Sequence, residues 1–213
     1  MFESEISDYQ VVLGDSNLKL ELPYGVQKHS IAKALVHENY DREDSYHRDD
    51  VGFLILRSPA RLEENVCLLC LPRPDVDIEE ETCTVTGYGK PSISESSPLP
   101  RAASYWEDKT TDGILREAEL EILEKQDCLD HIDSDHNNTI VCAKNTDDDE
   151  SQSACYHSLD GGSPLACESD GHHYLGGIVI FSSICGGESP SVFIKISAYV
   201  EWILQNYASL RYE

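Results

Sequence analysis

Short apolar runs separated by turn-rich stretches recur along the whole chain, and this pattern limits the fold more than any other feature. The runs are VVLG (11–14), SIAKALV (30–36), VGFLIL (51–56), CTVTGYG (83–89), ILREAELEIL (114–123), YLGGIVIF (174–181) and SVFIKI (191–196). Many short strands so punctuated suggest an all-β sandwich or barrel. The segment 114–123 is ambiguous by composition, because Leu, Ala and Glu favour helix. Its pattern decides for a strand: Ala118, Leu120 and Ile122 alternate with Glu117, Glu119 and Glu121, the period of a half-buried strand. Beyond Ser197 the period changes. Val200, Ile203, Leu204 and Tyr207 fall at i, i+3, i+4 and i+7, which predicts a C-terminal helix over about 197–209 with one apolar stripe. Segments 71–82 and 90–112 are polar and proline-bearing and read as a linker and a long loop.

Eight cysteines stand at 67, 70, 83, 128, 142, 155, 167 and 185 in a chain of 213 residues. Apart from Cys67 and Cys70 they are well spread, without clustered histidines, which fits disulfides in an oxidising compartment better than a zinc site. Asn137-Asn138-Thr139 is a glycosylation sequon centred on Asn137, in keeping with secretion. The chain opens MFESEISDYQ, which has neither the basic start nor the apolar run of a signal peptide, so the natural N-terminus is expected further upstream. The net charge of -24 argues against nucleic acid or an anionic membrane surface as partner, because like charges repel. It leaves protein partners and divalent cations. The acidic run NTDDDESQS (145–153) could gather calcium, but it lacks the regular ligand spacing of a calcium loop and reads first as a solvated loop. No cofactor and no metal are called for.

The stretch CYHSLDGGSPLAC (155–167) resembles the nucleophile loop of trypsin-like serine proteases, C-x-G-D-S-G-G-P-L-x-C. RDDVGFLIL (48–56) resembles that family's N-D-I-A-L-L-x-L, and CTVTGYG its C-x-x-x-G-W-G. GGIVIFSSICGGESPSVFIKISAYVEWI (176–203) is similar to G-I-V-S-W-G-x-G-C…P-G-V-Y-x-x-V-x-x-Y-x-x-W-I. The blocks keep the family's order from about residue 11 to 205. ENVCLLCLP (64–72), ILREAE and DGGSP bring the chain closest to the masquerade-like, non-catalytic serine protease homologues.

That resemblance implies a double six-stranded β-barrel whose first barrel is incomplete. Residues 1–72 would be the partial first barrel, 73–82 a linker, 83–196 the second barrel and 197–213 the C-terminal helix and tail. It also implies that the chemistry fails. Cleavage needs a Ser oxygen, a His to take its proton and an Asp to orient the His. The aspartate persists as Asp50, but Gly161 stands at the nucleophile position. Ser158 and Ser163 lie three residues before and two after it; two residues of extended chain span several ångströms, whereas about 1 Å of misplacement costs ~10²-fold. No T-A-A-H-C block is present to supply the base, and His29, His37 and His47 are each expected to lie on the surface.

Other remnant positions are altered. Ser153 replaces the aspartate of the specificity pocket. Ile180 and Phe181 replace a Ser-Trp pair, and Ser182 and Ser191 replace two glycines at the pocket mouth. Four residues separate Cys155 from Asp160 where the family has two, which is expected to distort the loop of Leu159 and Asp160 that carries the oxyanion donors. Losing nucleophile or base costs about 10⁶ in turnover.

The resemblance further implies the disulfides Cys128–Cys142, Cys155–Cys185 and Cys83–Cys167. Cys70 matches a position that bonds to an N-terminal regulatory region, and Cys67 is an addition. The functional expectation is a secreted pseudoenzyme that binds protein: an adhesion module, or a regulator of an extracellular protease cascade. The alternatives are an active endopeptidase with its histidine upstream, and an acidic calcium-binding module.

Overall fold

The computed structural model describes residues 6–20, 25–41, 48–89, 113–129, 138–145, 161–182 and 190–209. They fall into two units, residues 1–68 with 113–115, and residues 69–112 with 116–213. The architecture is all-β, with one closed barrel, one open sheet and a C-terminal helix.

The first unit holds a three-stranded antiparallel sheet of β1 (Gln10–Leu13), β2 (Gln27–Val36) and β3 (Gly52–Leu56), in that order. In the first half of β2, Gln27, His29 and Ile31 are buried while Lys28 and Ser30 are exposed, the alternation of a half-covered strand. Between Ile31 and Lys33 the pairing with β3 slips by one residue, which swaps the faces. Asn65 ties two turns of this unit together: its Nδ2 donates to the Gly14 carbonyl at 2.9 Å and to the Gly25 carbonyl at 3.0 Å. Both glycines hold positive φ, 75° and 82°, where an L side chain is strained, and a Cβ on either would run into that amide.

The second unit is a closed six-stranded barrel. Its strands are β4 (Thr82–Gly87), β5 (Arg116–Ile122), β6 (Ile140–Asn145), β7 (Pro164–Ser169), β8 (His172–Ser182) and β9 (Ser191–Lys195), arranged β4-β5-β6-β9-β8-β7 around the ring. In β5, Ala118, Leu120 and Ile122 are buried; Leu120 lies opposite Cys83 and Ala118 opposite Val85 of β4, and Ile122 opposite Ala143 of β6. Glu121 faces out and meets Lys144 at 3.5 Å. The core gathers Val85, Leu120, Ile122, Leu165, Val179 and a fully enclosed Phe193. Ile78 joins it from the 73–82 segment, with Val76 packed alongside, so that stretch contributes a core side chain as well as a connection.

Two disulfides tie the barrel, Cys83–Cys167 and Cys128–Cys142; Cys155 and Cys185 lie outside the described residues. The first bridge runs so close to β8 that a Cβ on Gly176 would come within 2.5 Å of the Cys167 sulfur. A short helix α1 (Lys125–Leu129) brings Cys128 to its partner. The C-terminus makes one 3₁₀ turn, Ile196–Tyr199, and then the helix α2 (Val200–Ser209). Strands β6 and β7 do not stand out as apolar runs in the sequence. IVCAKN and PLACES mix small, polar and cysteine residues, and it is their partners that make them strands.

Candidate functional site

Asp50 stands at the foot of β3. Asp49 before it is in the left-handed region at φ 54°, which Asp tolerates better than most residues, and the Val51 N–H donates to the Asp49 carbonyl at 2.7 Å. The Val51 carbonyl accepts from the His37 N–H at 3.0 Å. This turn fixes the direction in which the chain enters β3. Asp50 is half-buried and partnered. His37 is half-buried, and its Nδ1 accepts the Asn39 N–H at 3.3 Å.

His29 corrects the sequence expectation. It is 6% exposed and sits inside a polar cluster rather than on the surface. The Gln27 side-chain amide grips the Arg61 backbone twice: Nε2 donates to the Arg61 carbonyl at 2.8 Å, and Oε1 accepts its N–H at 2.9 Å. That pairing fixes which end of the amide is oxygen. His29 Nε2, 3.3 Å from the same Oε1, is then the donor, and Nδ1 is left to face the Ser58 hydroxyl at 3.1 Å. Every polar atom of the ring is satisfied, as burial demands. The signal was present in the sequence: Gln27, His29 and Ile31 share one strand face. Both nitrogens thus find partners within the first unit, on Gln27 and Ser58.

Gly161 belongs to the second unit, in the exposed turn that leads into β7. Gly162 next to it has φ 86°, and nothing lies within 4 Å of the place a Cβ would occupy. Conformation rather than space therefore demands glycine there. Two backbone bonds pin the turn to β8: the Gly162 N–H donates to the Val179 carbonyl, and the Val179 N–H donates to the Ser163 carbonyl, both at 2.9 Å. Ser163 is half-buried, and its hydroxyl has no hydrogen-bond partner among the described residues. A nucleophile needs a base within hydrogen-bond reach, and among the described residues none stands there.

Among the other positions expected from the resemblance, Ile180 and Ser191 are buried. The β8–β9 pairing slips between Val179 and Phe181; beyond it Phe181 lies opposite Val192, and Ser182 opposite Ser191. Ser153, Leu159, Asp160, Asn137, His47, Ser158 and the acidic run beyond Asn145 lie outside the described residues. Cys67 and Cys70 are free and exposed, and the Cys70 backbone bridges to Tyr174.

Two further features emerge from packing. The Tyr174 hydroxyl donates to Glu81 Oε2 at 2.8 Å; burial first, and then the Glu81 carboxylate, hold its phenol well above the usual tyrosine range. Glu81 lies within 4.8 Å of both sulfurs of Cys83–Cys167, but sulfurs bonded to each other are not metal ligands. A hollow of about 300 Å³ opens beside the Cys128–Cys142 bridge, lined among others by Asp75, Asp77, Lys125 and Lys195. Its lining includes neither Asp50 nor Gly161. No helix among the described residues is long and apolar enough to cross a membrane.

Comparison with known proteins bears on the same segments. Residues 2–203 match the family model described as Trypsin. "Protein masquerade" of Drosophila melanogaster is 30% identical over 186 residues, which is 85% of this chain and 16% of that protein. The chain thus spans about a sixth of the curated relative it matches. The solved structure described as "Structure of GrC" superposes with a TM-score of 0.72 at 25% identity, over 93% of this chain and 77% of that one.

Proposed function

The chain belongs to the trypsin family, and on that premise we propose that it is a member that no longer cuts and acts instead by binding protein. The observation that carries this reading is the glycine at 161, in a turn held to β8 by two backbone bonds. Glycine has no side chain with which to attack a carbonyl. The fully engaged His29 and the altered positions Ser153, Ile180, Phe181, Ser182 and Ser191 support it. In this reading 1–72 is the remnant of a first barrel and 83–196 the second.

The proposed setting is extracellular, since disulfides persist in oxidising compartments, with Asn137 glycosylated. The proposed partner is another protease of a cascade, or a cell-surface or matrix protein. Long loops on a rigid β scaffold serve such binding well, and 90–112 and 145–153 are the candidates. Cys70 or Cys67, both exposed thiols, would join the domain to an N-terminal regulatory segment by a disulfide. A fluorophosphonate probe applied to the full-length protein tests the loss of chemistry. We expect no labelling and no peptide cleavage; labelling at Ser158 or Ser163 would return the protein to the endopeptidases.

A further inference from the structure

The three-stranded sheet of the first unit has two faces of different character. One is the side of Gln27, His29 and Ile31, which are buried. The other is exposed, and its charge is of one sign. Residues 25–37 and 51–62 hold Lys28, Lys33, Arg57 and Arg61 and no Asp or Glu, in a chain with 40 acidic against 16 basic side chains. The remaining strand, β1, reads QVVL and is uncharged.

Register gathers three of these cations on the exposed face. Residues opposite each other in a ladder point to the same side. Val12 lies opposite Lys28 and Gln10 opposite Ser30, and all four are exposed. The Arg57 N–H donates to the Ser30 carbonyl at 2.8 Å. That bond extends the β2–β3 ladder one step past Ile31 and Leu56. It sets Arg57 beside Ser30 and diagonal to Lys28, a separation of about 7–8 Å in such a ladder. Past the slip in β2, Lys33 lies opposite Ile55, which is two residues from Arg57 and therefore on the same face. Arg61 is answered by Glu63, Nε to Oε1 at 2.9 Å. Lys28 and Arg57 have no ion pair among the described residues. Paired strands hold these like charges close together, and carboxylates of a ligand would relieve their repulsion.

We propose that this face, with Lys28, Lys33 and Arg57, docks an acidic segment of a partner protein in which apolar side chains stand among the carboxylates. The inference rests on the reading that the chain acts by binding protein, and it names the place and the chemistry of that contact. Charge complementarity carries it. A molecule of net charge -24 repels acidic partners in general, and a face whose strands carry cations and no carboxylate is where one can land. The neighbours of the cations favour a peptide over a sulfated polysaccharide. Val12, 38% exposed, stands opposite Lys28, and the half-buried Ile55 stands opposite Lys33. They offer apolar contact that a peptide side chain can use and a sugar sulfate cannot. A long polyanion would also meet the net negative charge of the rest of the chain.

Fluorescence anisotropy of the 213-residue chain with a fluorescein-labelled peptide of leucines set among glutamates tests this. The expected result is saturable binding that weakens as salt is added. Lys28→Glu combined with Arg57→Glu should lower the affinity at least about tenfold, with an unchanged far-UV spectrum. Lys125→Glu combined with Lys144→Glu makes the same change in net charge on the second unit and should leave the affinity within about twofold. If the first double variant does not fold, Lys28→Gln with Arg57→Gln takes its place, since both side chains are exposed. An equal loss in the two double variants overturns the proposal, because net charge alone would then explain the binding. Binding of a heparin oligosaccharide to this face without binding of the peptide also overturns it, in favour of a sulfated glycan. No peptide binding by a chain that also escapes fluorophosphonate labelling overturns this docking face and leaves the loss of chemistry standing.

Discussion

The two units are made of the same kind of strand, yet one is sealed and the other open. In the barrel each strand has a neighbour on both sides, and Phe193, Leu165 and Cys142 are wholly enclosed. In the open sheet the buried set among the described residues comprises Ile31, Val51 and Val66 with the polar Gln27 and His29, while Leu54 and Val36 face outward. Closure makes the difference. Once the last strand meets the first, the inner face is dry at every position, and a disulfide can be buried within it. An open sheet of three strands shields its middle strand best, which is where Gln27, His29 and Ile31 lie.

The contrast can be broken most forcefully at Cys83–Cys167. Replacing both cysteines with alanine releases a link between residues 84 apart, and chain entropy puts the loss at about 4.5 kcal/mol. Urea unfolding should show it in the barrel, while exchange at β2 amides stays unchanged. His29→Ala probes the open unit. It strips Ser58 and Gln27 of a buried partner and should cost about 2 kcal/mol, a loss confined to exchange in β1 to β3.

Tyr174→Phe is a smaller change, about 1 kcal/mol at neutral pH, and it carries a pH signature. The phenol is pushed above its ordinary 10.0 by burial and then by Glu81, so the folded state holds that proton longer than the unfolded one. Stability from this group is full below about pH 10 and is lost as pH rises further. The unmodified protein should therefore lose melting temperature above pH 10 more steeply than the phenylalanine variant. Leu62→Ser should change least. Leu62 is 61% exposed, and a surface exchange of this kind stays within about 0.5 kcal/mol by urea titration.

Much of the barrel was legible in the chain. The alternation of Ala118, Leu120 and Ile122 with glutamates gave β5 against its helix propensity, and the shift to a 3.6 period gave α2 after the Ile196–Tyr199 turn. Strands β6 and β7 were not legible, because what makes IVCAKN and PLACES strands is the pairing partner on each side. Nor was the burial of His29, although the face it shares with Ile31 pointed that way. A histidine is stable in the interior only when both nitrogens are answered, and Ser58 and the Arg61 backbone that fixes the neighbouring Gln27 amide come from another stretch of chain.

By itself the sequence determined the strands that carry apolar runs, the order of the family's blocks and the absence of a hydroxyl at position 161, because each of these is a property of residue type and spacing. Only the tertiary structure decided which polar groups are answered in the interior, where Tyr174 finds Glu81 and which strands are left with an open edge. Those depend on segments far apart in the chain meeting at distances of a few ångströms, which local pattern does not encode.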